Sequence, residues 1–357
     1  MYDKVMTLIA ACLYYSGWVA LGRWWMQRQG LRLMILNYHT ANEGDLRQHL
    51  LYLRHYYRLL HLEDALEELF SPSSHEVKDR RTPLVITFDD GYYDNYTHCF
   101  ALACELQIPI TIFLVPGYIE TGDRFWWLET DYLVTHASVS EVMIEGQTYH
   151  LNKSQEREEL TRAIEARIRF ASSVHEREAY LREVRQLLGA PYAVTLEEKK
   201  NLPISWVEIE AMKRCEWISF GSHTMHHPIL AYLTDPSEAE YEVRESRTEL
   251  EHHLESPVRS FAYPVGKFKD IGEQGVRSVR KAGYAWAVTT INGWNTPHSN
   301  PYLLHRLSVD PWQHWLLIAA MVSDVRHLFP NLLKAPIRFL LRLAGRTPLT
   351  GARDSLS

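Results

Sequence analysis

At 357 residues, 46% of them hydrophobic and 23% charged, the chain can hold one large domain or two small ones and is too apolar to be disordered throughout. Its net charge of -6 argues against a nucleic-acid partner, which would favour a basic face. The four cysteines (Cys12, Cys99, Cys104 and Cys215) form no CxxC pair and no zinc-ribbon spacing, so they neither require an oxidising compartment nor exclude one.

The first element is Val5 to Gly22, an uncharged run of 18 residues at the lower limit for spanning a bilayer. It also resembles the apolar core of a signal peptide, but Arg23-Trp24-Trp25 follows it where a small-residue cleavage site would stand. Two readings stay open: an N-terminal helix packed on the domain, or a segment in contact with a membrane. At the far end, Arg326 to Arg346 carries five Lys/Arg and no acid among Leu332, Leu333, Ile337, Phe339, Leu340, Leu341 and Leu343. Such a basic amphipathic stretch suits either an anionic membrane surface or the cover of a core. Residues 1–30 and 312–357 are therefore expected to stand apart from a catalytic domain over 31–311. Peripheral membrane contact through the termini is a candidate, and the compartment is left open.

Within that domain, Leu33 to Tyr38 reads as a buried strand ending at His39, and a helix follows from about Asp45. Pro83 to Phe88 is a second apolar run, ending abruptly in Asp89-Asp90-Gly91. A helix through Phe100, Cys104 and Leu106 leads to a strand from Ile108 to Val115, closed by Pro116-Gly117. Buried strands alternating with helices are the sign of an α/β parallel sheet or barrel. The alternation stops at about 120 and resumes at about 205; between them Ser154 to Leu188 reads as one or two solvated helices, an insertion forming a lid or substrate-side wall. Beyond it come a helix over Trp206 to Arg214, a strand over Trp217 to Phe220, and a helix begun by Asp235-Pro236-Ser237-Glu238. Ser260 to Tyr263, Tyr284 to Thr290 and Arg306 to Val309 read as strands, with a helix over Ile271 to Ala282.

In a parallel β/α architecture, reactive side chains collect at the carboxyl ends of the strands. His39, Asp89, Asp90, His223 and the stretch Tyr263 to Gly266 all stand there. Asp-Asp-Gly alone is also ordinary turn chemistry. His223 and His227 are four residues apart, but Pro228 biases His227 away from helical geometry, which points to a turn. Two imidazoles and one carboxylate on neighbouring strand ends would leave open positions on Zn²⁺ or a similar ion.

These segments carry a family resemblance. Thr87-Phe88-Asp89-Asp90-Gly91 resembles the first motif of the polysaccharide deacetylases, whose domain is the NodB-type deformed (β/α) barrel. Gly221-Ser222-His223-Thr224-Met225-His226-His227-Pro228 is similar to the second motif, and Phe261-Ala262-Tyr263-Pro264-Val265-Gly266 to the third. The likeness covers roughly residues 33 to 119 and 205 to 310, interrupted by the insertion. It implies a divalent metal, zinc by default, held by Asp90, His223 and His227, with Asp89 as the base that takes a proton from water. It also implies that a backbone N–H near Val265, beside Tyr263, holds the oxyanion. The substrate would be an acetylated saccharide losing its N-acetyl group.

Two positions depart from the pattern. Ala262 stands where many members have an Arg that orients the catalytic Asp, as in a subgroup with a Tyr-Pro form; Arg259 and Arg306 are the candidate substitutes. Leu303-Leu304-His305-Arg306 only roughly matches the last motif, so His305 stands as the candidate for the acid that protonates the leaving amine, and His39 as another candidate at the substrate edge of the site. Phe125-Trp126-Trp127 and Trp294 could stack on sugar rings, but packing under a loop is the expected role, and His226 is expected to point away from the site. Other readings are an O-acetyl esterase or non-sugar amidase on the same site, or a saccharide-binding module with weakened catalysis.

Overall fold

The computed structural model describes residues 2–41, 44–71, 79–192 and 198–325. The basic stretch from Arg326 to Arg346 lies outside them. By their internal contacts the residues fall into a large unit, Leu31–Trp312, and a small one that joins the residues up to Gly30 with those from Gln313 on.

In the small unit the apolar N-terminal run is two helices rather than one. α1 (Tyr2–Tyr15) and α2 (Trp18–Met26) meet at a bend of 70°, and Gly17 takes φ 86° at the junction, a left-handed conformation that glycine adopts without strain. Among the described residues no single helix is long and apolar enough to cross a membrane; the bent pair together passes that test only by length and composition. α1 packs on the last helix of the described residues (Trp315–Val322), with the rings of Tyr14 and Trp315 edge to face at 5.1 Å.

The large unit begins with β1 (Met34–Tyr38), α3 (Leu46–Tyr56), β2 (Arg58–Leu59), α4 (Leu62–Phe70) and β3 (Pro83–Phe88). A π-helical turn (Asn95–Phe100) runs into α5 (Ala101–Leu106), followed by β4 (Ile110–Leu114) and α6 (Pro116–Thr121). The inserted segment contributes α7 (Trp126–Thr135), the hairpin β5 (Glu141–Ile144) and β6 (Gln147–His150), α8 (Ser154–Arg169) and α9 (Val174–Leu188). The rhythm resumes with α10 (Trp206–Met212), β7 (Ile218–Ser222), α11 (Pro236–Leu254), β8 (Ser260–Ala262), α12 (Phe268–Lys281), β9 (Trp286–Val288) and β10 (Leu307–Ser308). Asp235 caps α11 as its sequence implies, accepting from Ser237 N at 2.8 Å ahead of Pro236.

All the strands outside the hairpin run parallel, seven of them in the order β10-β1-β3-β4-β7-β8-β9 and β2 beside β3 off that path. The sheet curls until its edges approach, and a parallel bridge from Val288 to Leu304 connects β9 to the segment just before β10. The deformation has a visible origin. β1 pairs along β3 from Leu84 to Phe88, while β2 pairs only with Pro83 and Leu84 and β4 only with Thr87 and Phe88. Strands β1 and β4 are buried at every position, as a sheet covered on both faces requires. A disulfide links Cys104 on α5 to Cys215 after α10.

The insertion is better packed than its charge implies. Leu160, Ile164 and Ile168 of α8 and Leu181, Val184 and Leu188 of α9 pack with Leu133, Val142 and Ile144 into a core that continues to Tyr92, Val115 and Tyr118. The expected solvated helices are amphipathic instead, because their apolar positions recur at helical spacing beneath a charged outer face.

Candidate metal centre and active site

The strand ends converge as the β/α rule requires. Asp89 and Asp90 follow β3, His223 follows β7, and Val265 lies in the turn after β8. Asp90, His223 and His227 are all buried, and each offers a ligand atom within 4.8 Å of the others. Asp90 Oδ1 lies 3.4 Å from His223 Nε2 and 3.6 Å from His227 Nε2. The two imidazoles sit edge to face, 4.7 Å apart.

The chemistry of these atoms fits a cation. His223 Nδ1 faces the carbonyl of Ala262 at 2.7 Å, and a carbonyl can only accept, so the proton of the neutral ring sits on Nδ1. Its Nε2 lone pair then points at Asp90 Oδ1, another acceptor. That carboxylate oxygen is buried with no hydrogen-bond partner, and so is His227 Nδ1. Burial, aided by the charges of His223, Arg177 and His39, holds the His227 imidazole well below its usual range, which keeps it neutral. Burial also opposes the charged form of His223, but the neighbouring carboxylates of Asp90 and Asp89 outweigh it and the pKa rises. Among the described residues only Glu120, Glu249 and His253 bring donor atoms as close, and there Glu120 is bonded by Trp206 and Glu249 faces His253.

The backbone of the site is held in sparsely populated conformations. Asp90, Thr224, His227 and Val265 have φ of 74°, 67°, 54° and 60°. By contrast, Gln107 and Glu255 adopt such angles as ordinary helix ends. Left-handed geometry costs about 1–3 kcal/mol at a non-glycine residue and gathers at functional sites. Local bonds offset it at the second motif. His227 N donates to Thr224 Oγ1, and Glu242, buried on α11, accepts from His226 N and faces its Nδ1 at 2.7 Å. His226 thus turns away from the cluster, as its sequence position implies. Gly117 N donates to Met225 O, and a Cβ at Gly117 would lie 2.5 Å from that oxygen, so only glycine fits there.

Asp89 is fully engaged. Arg306 Nη1 and Nη2 each lie 2.7 Å from one of its carboxylate oxygens. Arg306 is itself wholly buried, bonded to Thr289 O, Thr87 Oγ1 and Asn37 Oδ1 inside the barrel. Burial alone would raise the Asp89 pKa, but Arg306, with smaller help from His223 and His39, lowers it to about 2. Of the two arginines that could replace the third-motif Arg, then, Arg306 meets Asp89 across the barrel. Arg259 pairs instead with Glu67 and Glu63, part-exposed at its surface.

The remaining expected residues separate. His39 stands exposed at the end of β1, its charge felt by both Asp89 and His227 and its carbonyl held by Asn95. His305 is half-buried with its ring against Gly293, and burial lowers its pKa. Among the described residues its imidazole makes no hydrogen bond. Tyr263 is buried and its hydroxyl donates to Tyr302 O, which takes that group away from the cluster. Val265 O accepts from Thr290 Oγ1, while its N–H finds no acceptor among the described residues. Trp126 donates from Nε1 to His227 O at 2.9 Å, and the Trp127 ring lies 4.3 Å from the His227 ring. A run of adjacent aromatic residues suits loop packing or sugar stacking and carries no sign of a hydrogen bond 101 residues away.

Comparison with known proteins agrees with this architecture. Residues 76–286, more than half of the chain, match the family model described as polysaccharide deacetylase. The Bacillus subtilis (strain 168) protein YxkH, named for the same family, is 28% identical over 109 residues, which cover 30% of this chain and 38% of that protein. The chain thus matches well under half the length of this curated relative. Among solved structures, the Streptococcus pyogenes deacetylase PplD in complex with acetate superposes with a TM-score of 0.52 at 17% identity, over 82% of this chain and 98% of that one. IcaB from Ammonifex degensii does so with a TM-score of 0.52 at 19% identity, over 83% and 99%. At these identities the likeness shows the fold, a NodB-type curled β/α barrel. With the family match over most of that barrel, the chain belongs to the polysaccharide deacetylase family of hydrolases.

Proposed function

We propose that this chain removes N-acetyl groups from an N-acetylated sugar within a polysaccharide or glycolipid, using a divalent cation held by Asp90, His223 and His227. The observation that carries this reading is the meeting of buried acceptor atoms around Asp90 Oδ1, which has no donor of its own. Two imidazoles and a carboxylate suit Zn²⁺ by default, with Co²⁺ or Ni²⁺ able to replace it. When bound, such a cation polarises an acyl carbonyl and makes a neighbouring water more acidic.

The other steps belong to the side chains. Asp89 takes the proton of the attacking water. Its salt bridge to Arg306 keeps it ionised and fixes its plane, while each oxygen retains a second lone pair. The Val265 N–H donates to the oxyanion as the carbonyl becomes tetrahedral, and its left-handed φ is the cost of aiming that donor. His39 gives a proton to the leaving amine. It is favoured over His305 because it stands at the open edge and acts electrostatically on both Asp89 and His227. Tyr263 serves as a wall, its hydroxyl already occupied. The acetate bound to PplD is the product that hydrolysis of this kind releases, which supports an acetyl group as the one removed.

The test is acetate release from N-acetylglucosamine oligomers by the full chain with added Zn²⁺, Co²⁺ or Ni²⁺. Release that depends on the metal supports the reading. No release from any N-acetylated glycan, together with release from O-acetyl esters, would move the assignment to an esterase.

A further inference from the structure

Among the described residues the inserted segment supplies no ligand atom to the cluster, yet it reaches the loop that carries His227. Arg177 on α9 is 2% exposed, deep for a charged residue. Its Nη2 donates to His226 O at 2.9 Å, and its Nη1 lies 3.5 Å from His227 O. The guanidinium also sits 5.3 Å from the Trp126 ring, and Trp126 Nε1 donates to that same His227 carbonyl at 2.9 Å. Glu178, the acidic neighbour on α9, accepts from Arg177 Nε and Nη2 and balances its charge. Two donors from the insertion therefore end on the peptide groups flanking a residue at φ 54°. A left-handed histidine of this kind persists only when its surroundings over-determine it.

We propose that Arg177 and Trp126 are positioning residues for the metal centre: they clamp the His226 and His227 carbonyls and so hold His227 in the left-handed backbone that turns its imidazole toward Asp90. The insertion is then a support of the site as well as a wall beside it. The proposal rests on the reading of Asp90, His223 and His227 as the metal-binding set. Partners that orient ligands in this way typically contribute about 10–100-fold to metal affinity.

The experiment measures Zn²⁺ affinity by competition with a chromophoric chelator, and the visible spectrum of the Co²⁺-loaded full chain, which reports ligand geometry. Arg177→Met and Trp126→Phe should each weaken Zn²⁺ binding by about tenfold or more and alter the Co²⁺ spectrum. Arg177→Lys, which keeps one donor, should recover part of the loss. Arg185→Met serves as the control, because Arg185 is also buried in the insertion but bonds Glu129 and Pro191 O instead. It should lower Tm and leave the affinity and spectrum unchanged. If Arg177→Met does not fold, Trp126→Phe decides, since it removes the N–H and keeps an aromatic ring. Wild-type affinity and spectrum in both variants, with His227→Ala losing the metal, would overturn the clamp while leaving the metal centre standing. Equal weakening by Arg185→Met would overturn it too, as general loosening of the insertion. Wild-type affinity in His227→Ala would remove the metal-centre reading itself, and the clamp with it.

Discussion

Two buried arginine–carboxylate pairs stand in the large unit, and they treat their carboxylates in opposite ways. At the barrel mouth Arg306 lowers Asp89 to a pKa of about 2 against the burial that would raise it. In the insertion, burial raises the Glu129 pKa despite Arg185, with Arg124 a weaker partner at 3.8 Å. The difference lies in what else each guanidinium does. Arg306 faces Asp89 with two N–H groups in register and is locked from behind by Thr289, Thr87 and Asn37. Arg185 meets Glu129 through one nitrogen and spends the other on the carbonyls of Ala190 and Pro191. A bidentate, pre-oriented partner outweighs desolvation; a divided one does not. The first arrangement keeps its carboxylate ionised at the barrel mouth, and the second sits within the packing of the insertion.

Asp89→Asn should show the contrast most strongly. Acetate release should fall by about 10²–10⁴-fold with metal content unchanged, whereas Glu129→Gln should leave the rate near that of the wild type. Release by Asp89→Asn at the wild-type rate would remove Asp89 from the mechanism. His39→Gln should lower the rate by about 10²-fold and His305→Gln should not; the reverse order would make His305 the acid. Arg306→Met strands Asp89 as a buried, unpaired charge and should cost about 3–5 kcal/mol of stability in denaturant unfolding. Arg306→Lys should restore the charge but not the two-pronged bond, and so recover only part of the activity.

The smallest effect concerns pH. Because the folded state raises the Glu129 pKa, the protonated carboxyl's contribution to stability is full below the ordinary carboxylate pKa and is lost as pH rises through the raised value. Glu129→Gln lacks that titration. Thermal unfolding from acid toward neutral pH should therefore show the variant gaining on the wild type. A constant difference across the range would contradict the assigned direction.

Much of the barrel is legible in the sequence because strands covered on both faces read as continuous apolar runs, as Ile110 to Leu114 does. The proposed metal-binding set is legible for a different reason: Asp90 and His223 sit where strands end, and strand ends are recognisable. Arg306 could be named but not placed, since its bond to Asp89 spans 217 residues and depends on how the barrel closes. The β5–β6 hairpin escaped notice although its burial alternates, with Val142 and Ile144 inward and Glu141 and Met143 outward. The surrounding charge hid a period of two that covers only four residues. At the N-terminus, an apolar run long enough for one helix is interrupted at Ser16-Gly17, a break that hydropathy alone does not register.

The central claim is that Asp90, His223 and His227 hold one catalytic cation, and elemental analysis of the purified, zinc-reconstituted protein tests it most directly. The account predicts about one equivalent of Zn²⁺ in the wild type and in Asp89→Asn, and next to none in Asp90→Ala or His227→Ala, with acetate release following the metal. Equal metal in Asp90→Ala and the wild type, or a metal-free wild type that still releases acetate, would contradict it.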